Sequence, residues 1–381
     1  MTAILPDNMR ILFISTSYPK DLKDWRGVFI RHVAGGLSRL EHVKLSIWAP
    51  PGELPPDVQS VTNISDDVWL SRLMAAGGIS HLVRSGGVKA MSAPFVLLYR
   101  LRKAYERESH NDIYHINWLQ CALPLPDDGK PAVITALGND LKLLKLPLVR
   151  PLLRRVMKNR RVTICPNAEW MQAPLEAAFG DVARVRPISF GIDKCWYDIE
   201  RQIDSSQPKP WLAVTRLTHD KLGPLFEWSE KIFQQTQREL HLFGPMQEQI
   251  SIPSWVHYHG SASPDDLAAK WFPNACGLIT LSRHAEGRPQ VMLEAMASGL
   301  PIIASSMSAH ASIVSHGSTG FLCESPQEYE RAVERLEDPS TNRSFGHEAR
   351  RWALQEFGTW DDCAGRYADI YRQLFENHSH A

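Results

Sequence analysis

The chain has 381 residues, which at roughly 100–200 residues per domain argues for two domains. Its 44% hydrophobic and 22% charged content is that of a globular protein and excludes a disordered or fibrous chain. The formal net charge is zero but uneven: residues 1–185 carry 24 Lys+Arg against 17 Asp+Glu, and the remainder 18 against 25, so the front half is basic and suits an anionic partner.

The opening Met1–Arg10 has no apolar run behind a basic start, so no signal peptide is expected there. No stretch reaches the ~20 apolar residues of a bilayer span. Arg10–Ser15 reads as a buried strand, Val28–Arg39 as a helix, and Val43–Trp48 as a second strand. Residues 50–90 carry no clear period. Ala93–Tyr105 reads as a helix, Asp112–Ile116 and Ala132–Ala136 as strands, Leu141–Met157 as a helix and Val162–Cys165 as a strand. Ile188–Pro210 is polar and aperiodic, and is expected to be an interdomain connection. The alternation then restarts: strands at Trp211–Thr215, Leu240–Phe243, Gly277–Leu281 and Pro301–Ala304, and helices at Leu222–Gln235, Pro289–Ala297, Ser325–Leu336 and Ser344–Glu356. Short strands interleaved with helices predict parallel sheets built from βαβ units, twice over. The six cysteines show no metal or redox spacing, which suits a reducing cytosol.

The residues past each strand must choose the chemistry. The richest stretch is Ser282–Ser305, SRHAEGRPQVMLEAMASGLPIIAS. Gly287 lets backbone approach a ligand, and Pro289 suits the first position of a helix. The helix start offers free N–H groups and a positive dipole end to a diphosphate. Glu286 in the loop and Glu294 within the helix would meet one ligand at two points, and carboxylates accept hydrogen bonds from sugar hydroxyls. Each glutamate alone would also serve as an acid near a helix start.

This stretch resembles the donor segment of the retaining glycosyltransferases of family 4. The resemblance implies a GT-B fold: α/β, with two Rossmann-like doubly wound domains facing each other across a cleft. It implies that Glu286 contacts the donor sugar and Glu294 the nucleotide ribose, beside Gly287, Arg288, Pro289, Gln290 and Val291. VTRLTHDKLG resembles the family's strand-end segment, which directs Arg216 and Lys221 at the donor diphosphate. HLFGP supplies Gly244, and VHYHGSASPDDL places Gly260 and Ser261 beside the base. In the first domain, Gly27 of RGVF is the expected loop glycine near the phosphates. The implied division is residues 1–187 on the acceptor side, 188–210 as connection, 211–358 on the nucleotide-sugar side, and 359–381 as a helix crossing back.

The sequence departs from the family at TALGND, where Leu137 stands in place of a histidine, and at ASIV, where Ser312 stands in place of a glutamate. His115, Asn139 and Asp140 remain as acceptor-side candidates, although a strand-end histidine also serves structural ends. No Asp-x-Asp triplet and no His/Cys cluster is present, so no metal and no cofactor are expected, the nucleotide-sugar being a substrate. Arg216, Lys221 and the helix start would then carry the leaving-group charge.

Leu141–Arg161 holds eight basic residues and no acid. It reads either as a helix with a solvated basic face or as an anionic-membrane surface, and the latter suits a saccharide or lipid-linked saccharide acceptor at the inner face of a membrane. Nucleic acid is not expected, because no aromatic side chains interleave with the charges. A sugar-nucleotide epimerase or hydrolase, and a non-catalytic relative, are the rival readings.

Overall fold

A computed structural model describes residues 8–21, 24, 26–79, 88–203, 209–234, 236–284 and 288–376. The chain forms two compact units, Met1–Phe190 with Trp360–Ala381, and Gly191–Thr359.

The first unit holds a seven-stranded sheet in the order β3-β2-β1-β4-β5-β6-β7. Its strands are β1 Met9–Ile14, β2 Val43–Trp48, β3 Val58–Ser60, β4 Ile113–Asn117, β5 Ala132–Ala136, β6 Val162–Pro166 and β7 Arg184–Val185. Every pairing is parallel. Alternation along the strands assigns the two faces. Leu12, Ile14, Tyr114, Ile116, Ile134 and Ile164 join helices Ile64–Ala75, Val88–Arg107, Val149–Lys158 and Gln172–Phe179 in one core. Ile11, Phe13, Leu45, Ile47, Ile113 and Val133 join helices Val28–Ser38 and Trp360–Glu376 in the other.

The second unit repeats the plan with six strands in the order β10-β9-β8-β11-β12-β13. They are β8 Trp211–Val214, β9 Leu240–Phe243, β10 Val256–Tyr258, β11 Gly277–Thr280, β12 Ile302–Ser305 and β13 Gly320–Cys323, again all parallel. Helices Gln290–Ala297 and Pro339–Glu356 cover one face, and Leu225–Phe233 and Pro326–Glu337 the other. In both units the strand order reverses beside the first strand, at β1/β4 and at β8/β11. A doubly wound sheet opens a ligand crevice at such a point, beyond the carboxyl ends of the strands.

The structure departs from several sequence expectations. Leu141–Met157 is two helices, Asp140–Leu143 and Val149–Lys158. Pro147 stops the first, and Leu148 takes a left-handed turn at φ 69° before the second. Leu222–Gln235 likewise divides at Gly223-Pro224. Pro289 is the residue before its helix, with ψ 117°, rather than the first residue of it. The boundary between the two units, Phe190/Gly191, falls within Ile188–Pro210, and parts of that span are packed: Ile188 and Phe190 are buried in the first unit, and Ile192, Trp196 and Ile199 in the second.

Candidate functional site

At the β8/β11 reversal the register covers only Gly277–Leu278 against Trp211–Leu212. The two strands therefore part toward their carboxyl ends, and the residues that follow them line the opening. Thr215 and Arg216 follow β8. The short helix His219–Leu222 is capped by the Thr218 side chain, which accepts the Lys221 N–H at 3.2 Å. Gly223 lies at φ 54°, and a Cβ there would stand 2.0 Å from the Leu281 carbonyl. Only glycine permits this approach. It docks the helix on the end of β11, where the Arg283 N–H donates to the Asp220 carbonyl at 2.8 Å. Lys221 and Arg216, both half-buried, thus share one rim with Ser282 and Arg283.

Gly244, after β9, sits at φ 138° with its absent Cβ 1.6 Å from the Thr215 carbonyl. Its N–H donates to the Gly260 carbonyl at 2.7 Å. Gly244 therefore works as a spacer that lets the β8, β9 and β10 ends close up. Gly260, at φ 70°, has open space where a Cβ would be, and Ser261 is exposed beside it. The sequence did not single out Gln247, whose side-chain oxygen lies 3.4 Å from the Arg216 guanidinium and helps to aim it. Its signal, a lone amide in a loop, is one that local pattern does not raise.

Glu286 and Gly287 lie outside the described residues. Beyond them, the Arg288 guanidinium stacks 4.9 Å above the Phe357 ring. Pro289 is half-buried, and the Gln290 side chain donates to the Gly191 carbonyl at 3.0 Å. Val291 packs on the core side. At the far end of this helix, Arg201 donates to the Gly299 carbonyl at 2.7 Å and Arg350 to the Ser298 carbonyl at 2.9 Å. Two cations at a helix C-terminus favour its dipole and hold the helix in place.

Glu294, inside this helix, has no hydrogen-bond donor to its carboxylate among the described residues. Burial pushes its carboxyl up to about 7, and the nearby Asp193 carboxylate adds to the rise. Asp193 itself caps the turn Lys194–Tyr197 through the Cys195 N–H at 3.0 Å. A half-buried carboxylate with no donor among the described residues, next to a second acid, is set to accept hydroxyl hydrogens from outside the protein. Among the described residues, no group of three or more His, Cys, Asp or Glu side chains is arranged to hold a metal ion.

The remaining candidates belong to the first unit. Gly27 precedes helix Val28–Ser38 at φ 70°, with its absent Cβ 2.5 Å from the Ser17 hydroxyl, so the helix start abuts the end of β1. Asn139 is exposed beyond β5. Asp140 is buried, and its carboxylate accepts the Leu119 and Leu137 N–H groups at 3.0 and 2.7 Å. Burial still pushes it up to about 7. His115 corrects the expectation. It is fully enclosed, with Nδ1 2.5 Å from the Tyr371 hydroxyl and Nε2 3.0 Å from Thr135 Oγ1. Burial lowers its ring to about 3. Both nitrogens are used within the core, because alternation turns His115 under helix Trp360–Glu376. Asp140 has the same fate, since its two oxygens tie loop backbone together.

The basic stretch also needs correction. Arg160 is 2% exposed and bonds the Pro126 and Lys130 carbonyls and Asp128. Arg154 pairs with Asp181. The exposed set is Lys142, Lys145, Arg150, Arg155 and Lys158, and it alternates with exposed Leu146, Leu148 and Leu152. Among the described residues no helix is long and apolar enough to cross a membrane.

Two doubly wound parallel-sheet domains in one chain, with glycine-spaced strand ends at their reversals, define an α/β protein of the GT-B fold. Within it, residues 211–338 match the family described as glycosyl transferases group 1. That segment is similar to D-inositol 3-phosphate glycosyltransferase of Streptomyces griseus, at 31% identity over 132 residues, 34% of this chain and 27% of that protein. It is also similar to N-acetyl-alpha-D-glucosaminyl L-malate synthase of Bacillus anthracis, at 31% over 103 residues, 26% of this chain and 27% of that protein. The chain thus matches about a quarter of the length of these relatives. The whole fold is similar to sucrose-phosphate synthase from Thermosynechococcus elongatus, with a TM-score of 0.71 and 18% identity over 97% of this chain and 100% of that one. It is likewise similar to Anabaena HepE solved with UDP and glucose, with a TM-score of 0.68 and 16% identity over 96% of this chain and 100% of that one.

Proposed function

We propose that the protein is a retaining glycosyltransferase of family 4 type, which moves a sugar from a nucleoside-diphosphate sugar to an acceptor hydroxyl without a bound metal. The observations that carry this are the Arg216–Lys221 rim beyond β8 and, in the helix that follows β11, the half-buried Glu294 carboxyl, which has no donor among the described residues. The cations meet the diphosphate, Arg216 through its planar fork and Lys221 as a point charge. Glu294 accepts the ribose hydroxyls. Gly260 and Ser261 border the base, and Glu286 takes the sugar.

In the step itself, the bond between the anomeric carbon and the diphosphate oxygen breaks while the acceptor oxygen bonds that carbon on the same face. The acceptor proton passes to the departing diphosphate. Arg216 and Lys221 stabilise the charge that develops on it, and a preformed cationic rim does so without reorganising. The absence of an Asp-x-Asp triplet from the sequence supports cations of the protein in this role. The exposed leucine and lysine/arginine surface of 142–158 supports an acceptor at an anionic membrane face, since apolar side chains can enter the interface while the cations meet headgroups.

The experiment is calorimetric titration of the full chain with UDP, GDP, ADP and CDP, followed by turnover of the matching nucleotide-sugars in excess EDTA. One diphosphate should bind, and its sugar should be transferred with retained anomeric configuration in EDTA. Binding of none refutes the donor site. Release of free sugar alone in the presence of acceptors points to a hydrolase. Loss of turnover in EDTA, restored by Mg²⁺, refutes the metal-free step.

A further inference from the structure

The edge of the second unit's sheet carries a column of imidazoles that the reaction above does not use. Register places His257 of β10 opposite His241 of β9, and alternation puts His241, Phe243, His257 and His259 on one face of the sheet. The rings stack in series. His257 and His241 have centroids 4.8 Å apart, His241 and His259 5.0 Å, and His259 and Phe243 4.7 Å. Trp271 flanks the column at 4.8–4.9 Å from His241, His259 and Phe243, and Lys270 lies over Trp271.

Hydrogen bonds run along the column. His241 Nε2 lies 3.1 Å from the Glu239 carboxylate and His241 Nδ1 2.9 Å from His259 Nε2. A carboxylate only accepts, so His241 Nε2 carries a hydrogen. In the neutral ring its Nδ1 then accepts from His259 Nε2–H. The chain reads His259 to His241 to Glu239, and it ends at the strand exit. There the His259 N–H donates to the Leu242 carbonyl at 3.0 Å, the Gly244 N–H to the Gly260 carbonyl at 2.7 Å, and the Tyr258 hydroxyl to the Gly244 carbonyl at 2.9 Å.

We propose that His241 and His259 are positioning residues for the turn 259–261, holding it against Gly244 for the nucleotide while their shared hydrogen bond lasts, and that a second proton on the pair releases it. This rests on the donor reading of Gly260 and Ser261 given above. The proton count gives the logic. One added proton settles on Nδ1 of His259, whose side chain belongs to an exposed residue, and leaves the bond intact, since Nε2–H still donates. A second proton must go to Nδ1 of His241, and two N–H groups then point at each other. The charges that face the pair are Glu239, which favours protonation, and His257 and Lys270, which oppose it. Burial also opposes it, and both rings are lowered from the ordinary histidine value. Release therefore belongs below the range where free histidines titrate.

The test uses the full chain, ¹⁵N-labelled, with histidine ring nitrogens and the Gly244 and Gly260 amides followed from pH 7.5 to 5.0. UDP, GDP and ADP affinities are measured at both ends. In the wild type the two glycine amides should move with the midpoint at which the His241–His259 pair takes its second proton. The tightest diphosphate should weaken at least fivefold more than it does in His241→Phe, where the ring volume is kept but no proton enters. Comparing the two proteins cancels the titration of the ligand and of Glu294. Glu239→Gln, a change at an exposed side chain, should move the midpoint to lower pH, since it removes a negative charge that favours protonation. A column that served packing alone would leave the Gly244 and Gly260 amides still while the rings titrate. Glycine amides that stay still through the ring titration, or an unmoved midpoint in Glu239→Gln, overturn the proposal. If no diphosphate binds at pH 7.5, the donor reading and the affinity half fall, while the amide titration still decides whether the pair positions the turn.

Discussion

Replacing Glu294 by glutamine should stabilise the ligand-free protein at pH 8 and have little effect at pH 4.5. The folded carboxyl holds its proton up to about 7, against an ordinary value of 4.5. At about 1.4 kcal/mol per tenfold change in proton affinity, ionising it inside the fold costs up to about 3 kcal/mol. Glu294 keeps part of its surface open, so solvent trims this to about 1–3 kcal/mol. The folded state binds this proton more tightly than the unfolded chain. The penalty is therefore absent below pH 4.5, grows as pH rises toward 7, and is complete above it. Glutamine removes the charge, and its own packing cost cancels in the comparison between the two pH values. In a unit of 150–250 residues, 1 kcal/mol corresponds to about 2–4 °C, so the difference should reach several degrees. The assay is urea-dependent hydrogen exchange of peptides from 290–305 in the full chain, at both pH values. A mutant that is less stable at pH 8 than at pH 4.5, each relative to wild type, would refute the reasoning. Glu294 would then have donors within the fold, and its readiness for a ribose would be lost as an argument.

Arg216→Ala should lower kcat by a hundredfold or more, about 3 kcal/mol of transition-state stabilisation, with near-normal turnover counting against its place at the diphosphate. In calorimetry with the free nucleoside diphosphate, Glu294→Gln should weaken binding while Glu286→Gln leaves it nearly intact and lowers turnover of the sugar donor; equal losses would show that the two acids do not divide the ligand. Vesicle cosedimentation should need anionic lipid and weaken steeply with salt. It should fall sharply when Lys142, Lys145, Arg155 and Lys158 are changed together to Glu, and also when Leu146, Leu148 and Leu152 are changed to Ser. Arg160 is excluded from that set because its side chain is built into the loop at Pro126. Binding that ignores both changes would make the surface an ordinary solvated face.

Both sheets were legible because parallel strands buried on two faces read as apolar runs, as ILFI and GLIT do. Helix Ile64–Ala75 was not, since Ile64 and Val68 point outward and only Asp66, Leu70 and Leu73 are buried, so no period stands out. The three-residue β3 and β10 are too short to carry a pattern. The rim of Arg216 and Lys221 could be named from local motif, but its place at β11 depends on Gly223 meeting Leu281, a contact between distant segments. His115 shows the converse. Its environment is set by Tyr367 and Tyr371 more than 250 residues on. Arg160 is the same lesson in charge: counting cations along 141–161 does not reveal which of them the loops at 126–130 have absorbed.

The helix Trp360–Glu376 lies on β1 and β4, where Trp360, Tyr367, Ile370 and Tyr371 complete the core around Ile11, Phe13 and Ile113. During synthesis, then, the strands made earliest wait for a segment that leaves the ribosome after the entire 191–359 unit. Through that interval the part of this face that helix Val28–Ser38 does not cover is bare apolar surface, and the later unit has the opportunity to fold first. Nascent chains arrested just before Trp360 should carry a protease-sensitive front and a protease-resistant back, an inversion of the usual order of domain completion. Such a chain would depend on holdase chaperones most heavily until helix Trp360–Glu376 is made.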